Sequence, residues 1–292
     1  MMRASAAGLV TRKQQIEDFA TQITDDWLWF QLNRQEGATV DKITNHSGKL
    51  ITTEQTLLSG TSVGATIWSA APGKCTPAGT AYWDYHLGSA GATDDLMNLF
   101  NLSTLGAHGG LLVAGWITLT GATTTNDVLL SVGASSSQAT YGEWQLYPTA
   151  SQIVFMLKNQ GGSTSINVQT QSGLSAGDHH FAFYIDAENM IGYAFVDGVE
   201  ATGSGTHKDL STDGTGLPAI EGNRGIRLLG RATNASGGTG GVFGNTAATL
   251  AAHDIVIRRF DRDANVISDI PELVADMYAA GRMLLPASFG SI

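Results

Sequence analysis

The chain has 292 residues, 42% hydrophobic and only 14% charged, and 36 of them, about 12%, are glycine. The apolar share excludes a disordered protein, while the charge content lies well below the roughly 25% of an average soluble domain. A net charge of -10 without a basic stripe excludes nucleic acid and an anionic membrane surface as partners.

Cys75 is the single cysteine of the sequence, so neither an internal disulfide nor a cysteine-based zinc site is expected. No apolar stretch approaches the roughly 18 residues that cross a bilayer. Met1 to Val10 lacks a signal-length apolar core before Arg12 and Lys13, so folding in a reducing host cytoplasm is expected. No cofactor or metal is expected.

Ile16, Phe19, Ala20 and Ile23 recur at helical spacing, and Thr11 with Gln14 has the spacing of a capping box. Residues 1–25 are thus expected as a helical arm. It either packs on its own domain or docks on a neighbouring subunit through Ile16, Phe19 and Ile23.

From Trp27 the hydrophobic period changes to two, and a turn is expected at Asn45-His46-Ser47-Gly48. Strand patterns recur over 110–120, 127–132, 143–147, 152–158, 165–170, 180–186, 191–196, 225–229 and 254–260. Many short strands with frequent turn residues indicate a sandwich or barrel and exclude βαβ units. The stretch from Thr56 to His108 has few alternations and reads as one or two strands plus long loops. Its aromatics Trp68, Tyr82, Trp83 and Tyr85 are candidate glycan- or partner-binding residues, since exposed rings stack on sugars or anchor partners. The alternative for them is burial under a loop.

A second glycine-rich loop covers 234–245, without the monotony of a flexible linker, so residues 26–292 read as one domain. Ile270, Leu273, Val274 and Met277 return to helical spacing. Asp269 is placed to cap this short C-terminal helix, Pro271 to lie in its first turn and Gly281 to end it. The helix is expected to close an open end of the sandwich.

Three segments carry a family resemblance. They are Trp29 to Gly48 (WFQLNRQEGATVDKITNHSG), Gly177 to Gly198 (GDHHFAFYIDAENMIGYAFVDG) and His253 to Gly281. The first is similar to an opening strand and turn, the second to a central hairpin closing on V-D-G, the third to a last strand and short helix. Together they resemble the concanavalin A-like lectin/glucanase superfamily in its laminin-G-like branch. The resemblance implies an all-β, two-sheet antiparallel jelly-roll sandwich, and it speaks to fold, not activity.

Several motifs bear on chemistry. Gly173-Leu174-Ser175-Ala176-Gly177 matches a nucleophile elbow, but a strand follows where that motif requires a helix, so a hairpin turn is expected. His179 and His180, adjacent on a strand, point to opposite faces. The alternating E-x-D-x-E of glucanases is absent from the sequence. Asp209 to Gly214 spaces its oxygens as calcium loops do, yet Ile220 stands where a bidentate glutamate is required, and an ordinary polar turn is expected. Ala71 to Thr76 lacks the first glycine and the final hydroxyl of a phosphate loop.

The expectation is therefore a non-enzymatic surface protein of a virus particle, a bacteriophage capsid decoration or tail-associated subunit. It would form a homo-oligomer and contact other virion proteins. A lectin-like glycan-binding module is the alternative.

Overall fold

The computed structural model describes residues 27–31, 44–47, 61–63, 68–71, 74–77, 82–86, 101–105, 109–121, 128–133, 143–158, 165–203, 205–211, 217–219, 225–228, 251–260 and 266–281. The expected N-terminal arm, with Ile16, Phe19 and Ile23, lies outside the described residues.

The first strands in chain order are β1 (Trp27–Gln31), β2 (Thr44–Ser47), β3 (Thr61–Val63), β4 (Trp68–Ala71), β5 (Lys74–Pro77) and β6 (Tyr82–His86). The central ones are β7 (Gly110–Leu119), β8 (Leu130–Gly133), β9 (Glu143–Pro148), β10 (Ile153–Lys158), β11 (Ser165–Gln169) and β12 (Gly177–Asp186). There follow β13 (Ile191–Val196), β14 (Val199–Glu200), β15 (His207–Asp209), β16 (Gly225–Leu228) and β17 (Ala251–Phe260). A single α-helix among the described residues, α1 (Val266–Ala280), comes last.

These strands form two antiparallel sheets. One runs β14-β13-β12-β7-β17-β1-β2, with β15 beside β13 and the β4–β5 hairpin joined to β17. The other runs β11-β10-β9-β8-β16-β6-β3. β7, β12 and β17 form the middle of the first sheet, paired over nearly their whole length.

Alternation along each strand explains the layers. Leu111, Val113, Phe181, Phe183, Ile255 and Ile257 point from the first sheet toward Leu130, Trp144, Leu146, Phe155 and Val168 of the second. Phe155 and Phe183 stack across the gap with ring centroids 5.7 Å apart, and Trp144 leans on Phe155 at 5.1 Å. The intervening residues Leu112, Ala114, Ala182, Tyr184 and Val256 face the other way, onto Ile270, Leu273, Val274 and Met277 of α1. From His179 onward β12 is buried on both faces, which is why Phe181 to Ile185 reads as an unbroken apolar run.

Three expectations are corrected here. α1 does not close an end of the sandwich; it lies on the outward face of the larger sheet, where its apolar stripe meets that sheet's second apolar face. It begins at Val266, so Asp269 sits in its first turn and Pro271 inside it. Gly281 does end it, at φ 79°. The turn expected at Asn45-His46-Ser47 is strand β2, because pairing with β1 overrides weak local propensity.

Candidate functional site

The chemistry of the described residues gathers where β12 begins. Gly177 opens the strand at φ 144°, a conformation glycine adopts without strain. From there Asp178 and His180 fall on the outward face with Thr118 and Trp116 of β7, their register partners. His179 falls on the opposite face.

The β13–β14 hairpin supplies the frame. Val196 pairs with Val199, so Asp197 and Gly198 form a two-residue loop, and both take positive φ, 51° and 80°. The Asp197 carboxylate reaches back along β12. Oδ1 accepts the backbone N–H of His180 at 3.0 Å, and Oδ2 lies 2.8 Å from His179 Nδ1. His179 Nε2 meets the backbone carbonyl of Ser175 at 3.0 Å. Histidine therefore engages the Ser175 main chain rather than its hydroxyl. With Gly173 at φ 88° and a strand starting at Gly177, the G-x-S-x-G stretch is a turn, as its sequence context indicates.

On the outward face, the hydroxyl of Thr118 donates to Asp178 Oδ1. His253 Nε2 lies 3.1 Å from the same hydroxyl and 3.6 Å from the same carboxylate oxygen. The register of β17 shifts between Ala252 and Asp254, so His253 occupies a β-bulge that turns its ring toward this pair. His253 is fully buried and the Asp178 side chain is one-third exposed. Sequence reading missed this cluster: its members lie 60 and 135 residues apart, and only strand register brings them together.

Beside it stands an aromatic stack. Tyr278, in the last turn of α1, lies over Trp116 with centroids 5.6 Å apart and planes 18° from parallel. The His180 ring is 5.4 Å from Trp116 and 6.2 Å from Tyr278. Both its nitrogens are buried without a hydrogen-bond partner. Burial pushes its pKa down to about 4, against a smaller upward pull from Asp197. His180 is thus neutral at physiological pH.

The aromatics singled out from the sequence do not share one loop. Trp68 lies on β4, opposite Pro77 in the larger sheet, whereas Tyr82, Trp83 and Tyr85 lie on β6 in the other sheet. Asp209 Oδ1 accepts both the N–H and the hydroxyl of Ser211, at 2.8 and 2.6 Å, which makes an ordinary polar turn and holds the Asp209 carboxyl below its usual range. Asp213 lies outside the described residues. No group of three His, Cys, Asp or Glu side chains suited to a metal ion occurs among the described residues.

No family model matches the chain, and no curated protein is similar to it. Solved structures do resemble it. A Trypanosoma rangeli sialidase in complex with 2,3-difluorosialic acid is 15% identical with a TM-score of 0.46, covering 87% of this chain and 33% of the sialidase. The receptor binding domain of botulinum neurotoxin mosaic serotype C/D is 7% identical with a TM-score of 0.49, covering 88% of this chain and 51% of that one. A heptameric SAP-like pentraxin from Limulus polyphemus is 12% identical with a TM-score of 0.37, covering 60% and 71%. This chain spans a third of the sialidase and about half of the toxin domain.

These similarities stop at the level of a β-sandwich. They nevertheless correct one expectation. Sialidases, which are enzymes, stand among the structures that this chain resembles, so its fold gives no ground for the non-enzymatic reading.

Proposed function

We propose that this chain is a surface subunit of an assembled particle, that of a virus, and contacts neighbouring subunits through the edge of its larger sheet. The supporting observation is the pairing of Val199 and Tyr278. Among the described residues these are the large hydrophobics that stand out in solvent, 67% and 42% exposed. They come from different elements, β14 and α1, and Gly198 joins them, its ideal Cβ position lying 2.9 Å from the Cβ of Tyr278. Adjacent exposed apolar side chains in a chain with so little charge suit a surface that a neighbour covers. We also read the two sheets as a laminin-G-like jelly roll, a reading that the Asp197–Gly198 turn between its strands supports.

The test has two parts. Mass spectrometry of purified particles must find the chain in them. Val199→Asp together with Tyr278→Asp must then lower self-association or incorporation without lowering the urea midpoint of the isolated chain. Unchanged association would overturn the reading.

Glycan binding is the second reading, favoured by an exposed Tyr278 ring on the same face as the half-exposed row that holds Asp178 and Thr118. A glycan array probed with and without calcium decides it, and no binding on either would remove it.

A further inference from the structure

His180 occupies a position that a neutral ring tolerates and a charged one does not. It is 1% exposed, sits against Trp116 and Tyr278, and has no hydrogen-bond partner on either nitrogen. An imidazolium carries two N–H donors that need acceptors or water. The indole face offers a cation some attraction, but the loss of hydration outweighs it.

We propose that α1 is an acid-released cover: protonation of His180 lifts the last turn of α1, with Tyr278, off Trp116 and opens the outward face of the larger sheet at that end. The element that must move is suited to it. Tyr278 is two residues from the end of α1, where helices fray most readily, and its ring is already part-exposed. The deeper contacts of α1, through Ile270, Leu273 and Val274, lie one to two turns away and keep the helix tethered. The inward neighbours of His180 along β12, Phe181 and Phe183, belong to the other core and are untouched.

The charged and titratable groups around His180 come from each packed element. Asp197 of the β13–β14 turn holds the His180 N–H, and Tyr278 comes from α1. Asp178 lies two residues earlier on β12 and is tied to His253, while Asp254 of β17 lies beyond Trp116 in the same row. The Asp197 carboxylate favours a proton on His180, and burial outweighs it while α1 is docked. With α1 lifted, the ring regains water and its ordinary affinity. A pKa of about 4 when docked, against 6.5 when hydrated, shifts the docked-to-lifted equilibrium about 300-fold between pH 7 and acid.

The purpose of the switch rests on the particle-surface reading, since Tyr278 belongs to that patch; the switch itself is tested in the isolated chain. Hydrogen exchange of the full chain, corrected for intrinsic rates, is measured at pH 7 and pH 4. Amides of the last turns of α1 are expected to lose protection up to about 100-fold at pH 4, where the docked ring is half protonated, while those of β7 and β12 keep theirs. His180→Phe is expected to abolish the loss, and Tyr278→Ala to produce it at pH 7. An NMR titration of the His180 ring in the unaltered chain must share its midpoint with the loss of α1 protection. Equal protection of α1 at both pH values, an undiminished acid effect in His180→Phe, or simultaneous opening of α1 and β12 would each overturn the proposal. An assembly unaffected by the Val199 and Tyr278 substitutions would sink the particle reading and leave this result standing.

Discussion

The indole N–H of Trp29 donates to Asp254 Oδ2 at 3.2 Å, joining the first described strand to the last across 225 positions of chain. Both residues are buried, 0% and 5% exposed, and Asp254 lies in the same row as Trp116 and His180. A buried carboxylate depends on its donors, because removing one leaves desolvation that nothing offsets.

Trp29→Phe keeps most of the apolar volume and removes that donor. It is expected to lower stability by about 1.5–3 kcal/mol in urea unfolding, the scale of a hydrogen bond to a charged group. A loss below about 0.5 kcal/mol would show that other donors suffice for Asp254.

Asp197 combines two roles that substitutions can separate. Its carboxylate holds the N–H of His180 and the ring of His179, and its backbone takes φ 51°, which most side chains resist. Asp197→Gly removes the first role and relieves the second, whereas Asp197→Ala removes the first and strains the second. Both variants are expected to be destabilised, and the alanine by about 1 kcal/mol more. Equal thermal midpoints would argue that the positive φ costs nothing here.

How much of this was legible in the sequence differs between fold and site. Strand β13 and the turn after it could be read because Ile191 to Val196 alternates and Asp197-Gly198 is a hairpin turn pair. The start of β12 was missed, since Asp178 and His179 are polar; the structure pairs them with Thr118 and Ile117 all the same. β2 was hidden by turn-forming residues that pairing with β1 overrides. The site was less legible still. Thr118, Asp178 and His253 carry no spacing that announces them, and a β-bulge leaves no mark in hydrophobic periodicity. Tyr278 lies outside the apolar spacing of Ile270, Leu273, Val274 and Met277, and nothing in its own segment points to Trp116, 162 positions earlier.

His180 makes stability depend on pH with a definite sign. Its pKa is lowered to about 4 in the folded chain and returns to 6.5 on unfolding, so the unfolded chain binds the proton first on acidification. The contribution is complete above pH 6.5, falls as pH drops from 6.5 toward 4, and changes no further below that. The loss reaches up to about 3 kcal/mol, at 1.36 kcal/mol per pKa unit. Urea midpoints measured from pH 7 to pH 4 are expected to fall more steeply in the unaltered chain than in His180→Phe. Parallel curves would assign the acid sensitivity to other groups.

Gly115 marks the tightest backbone approach in the larger sheet. It lies on β7 opposite Phe181 of β12 and Ile255 of β17. A Cβ there would fall inside the contact distance of the Asp254 carbonyl oxygen, and 3.1 Å from the Phe181 ring. Neither neighbour can yield cheaply, because the carbonyl belongs to a paired strand beside the His253 bulge and the ring is packed in the core. Gly121, just past the end of β7, has nothing within 4 Å of the same ideal atom. Gly115→Ala is therefore expected to cost more than about 4 kcal/mol or to prevent folding, and Gly121→Ala to stay within about 0.5 kcal/mol of the unaltered chain. Solubility and urea midpoints of the two variants, prepared side by side, check this. A well-folded Gly115→Ala of ordinary stability would mean that β7 and β17 are able to separate at the bulge, and that the position of His253 against Thr118 is softer than its hydrogen bonds imply.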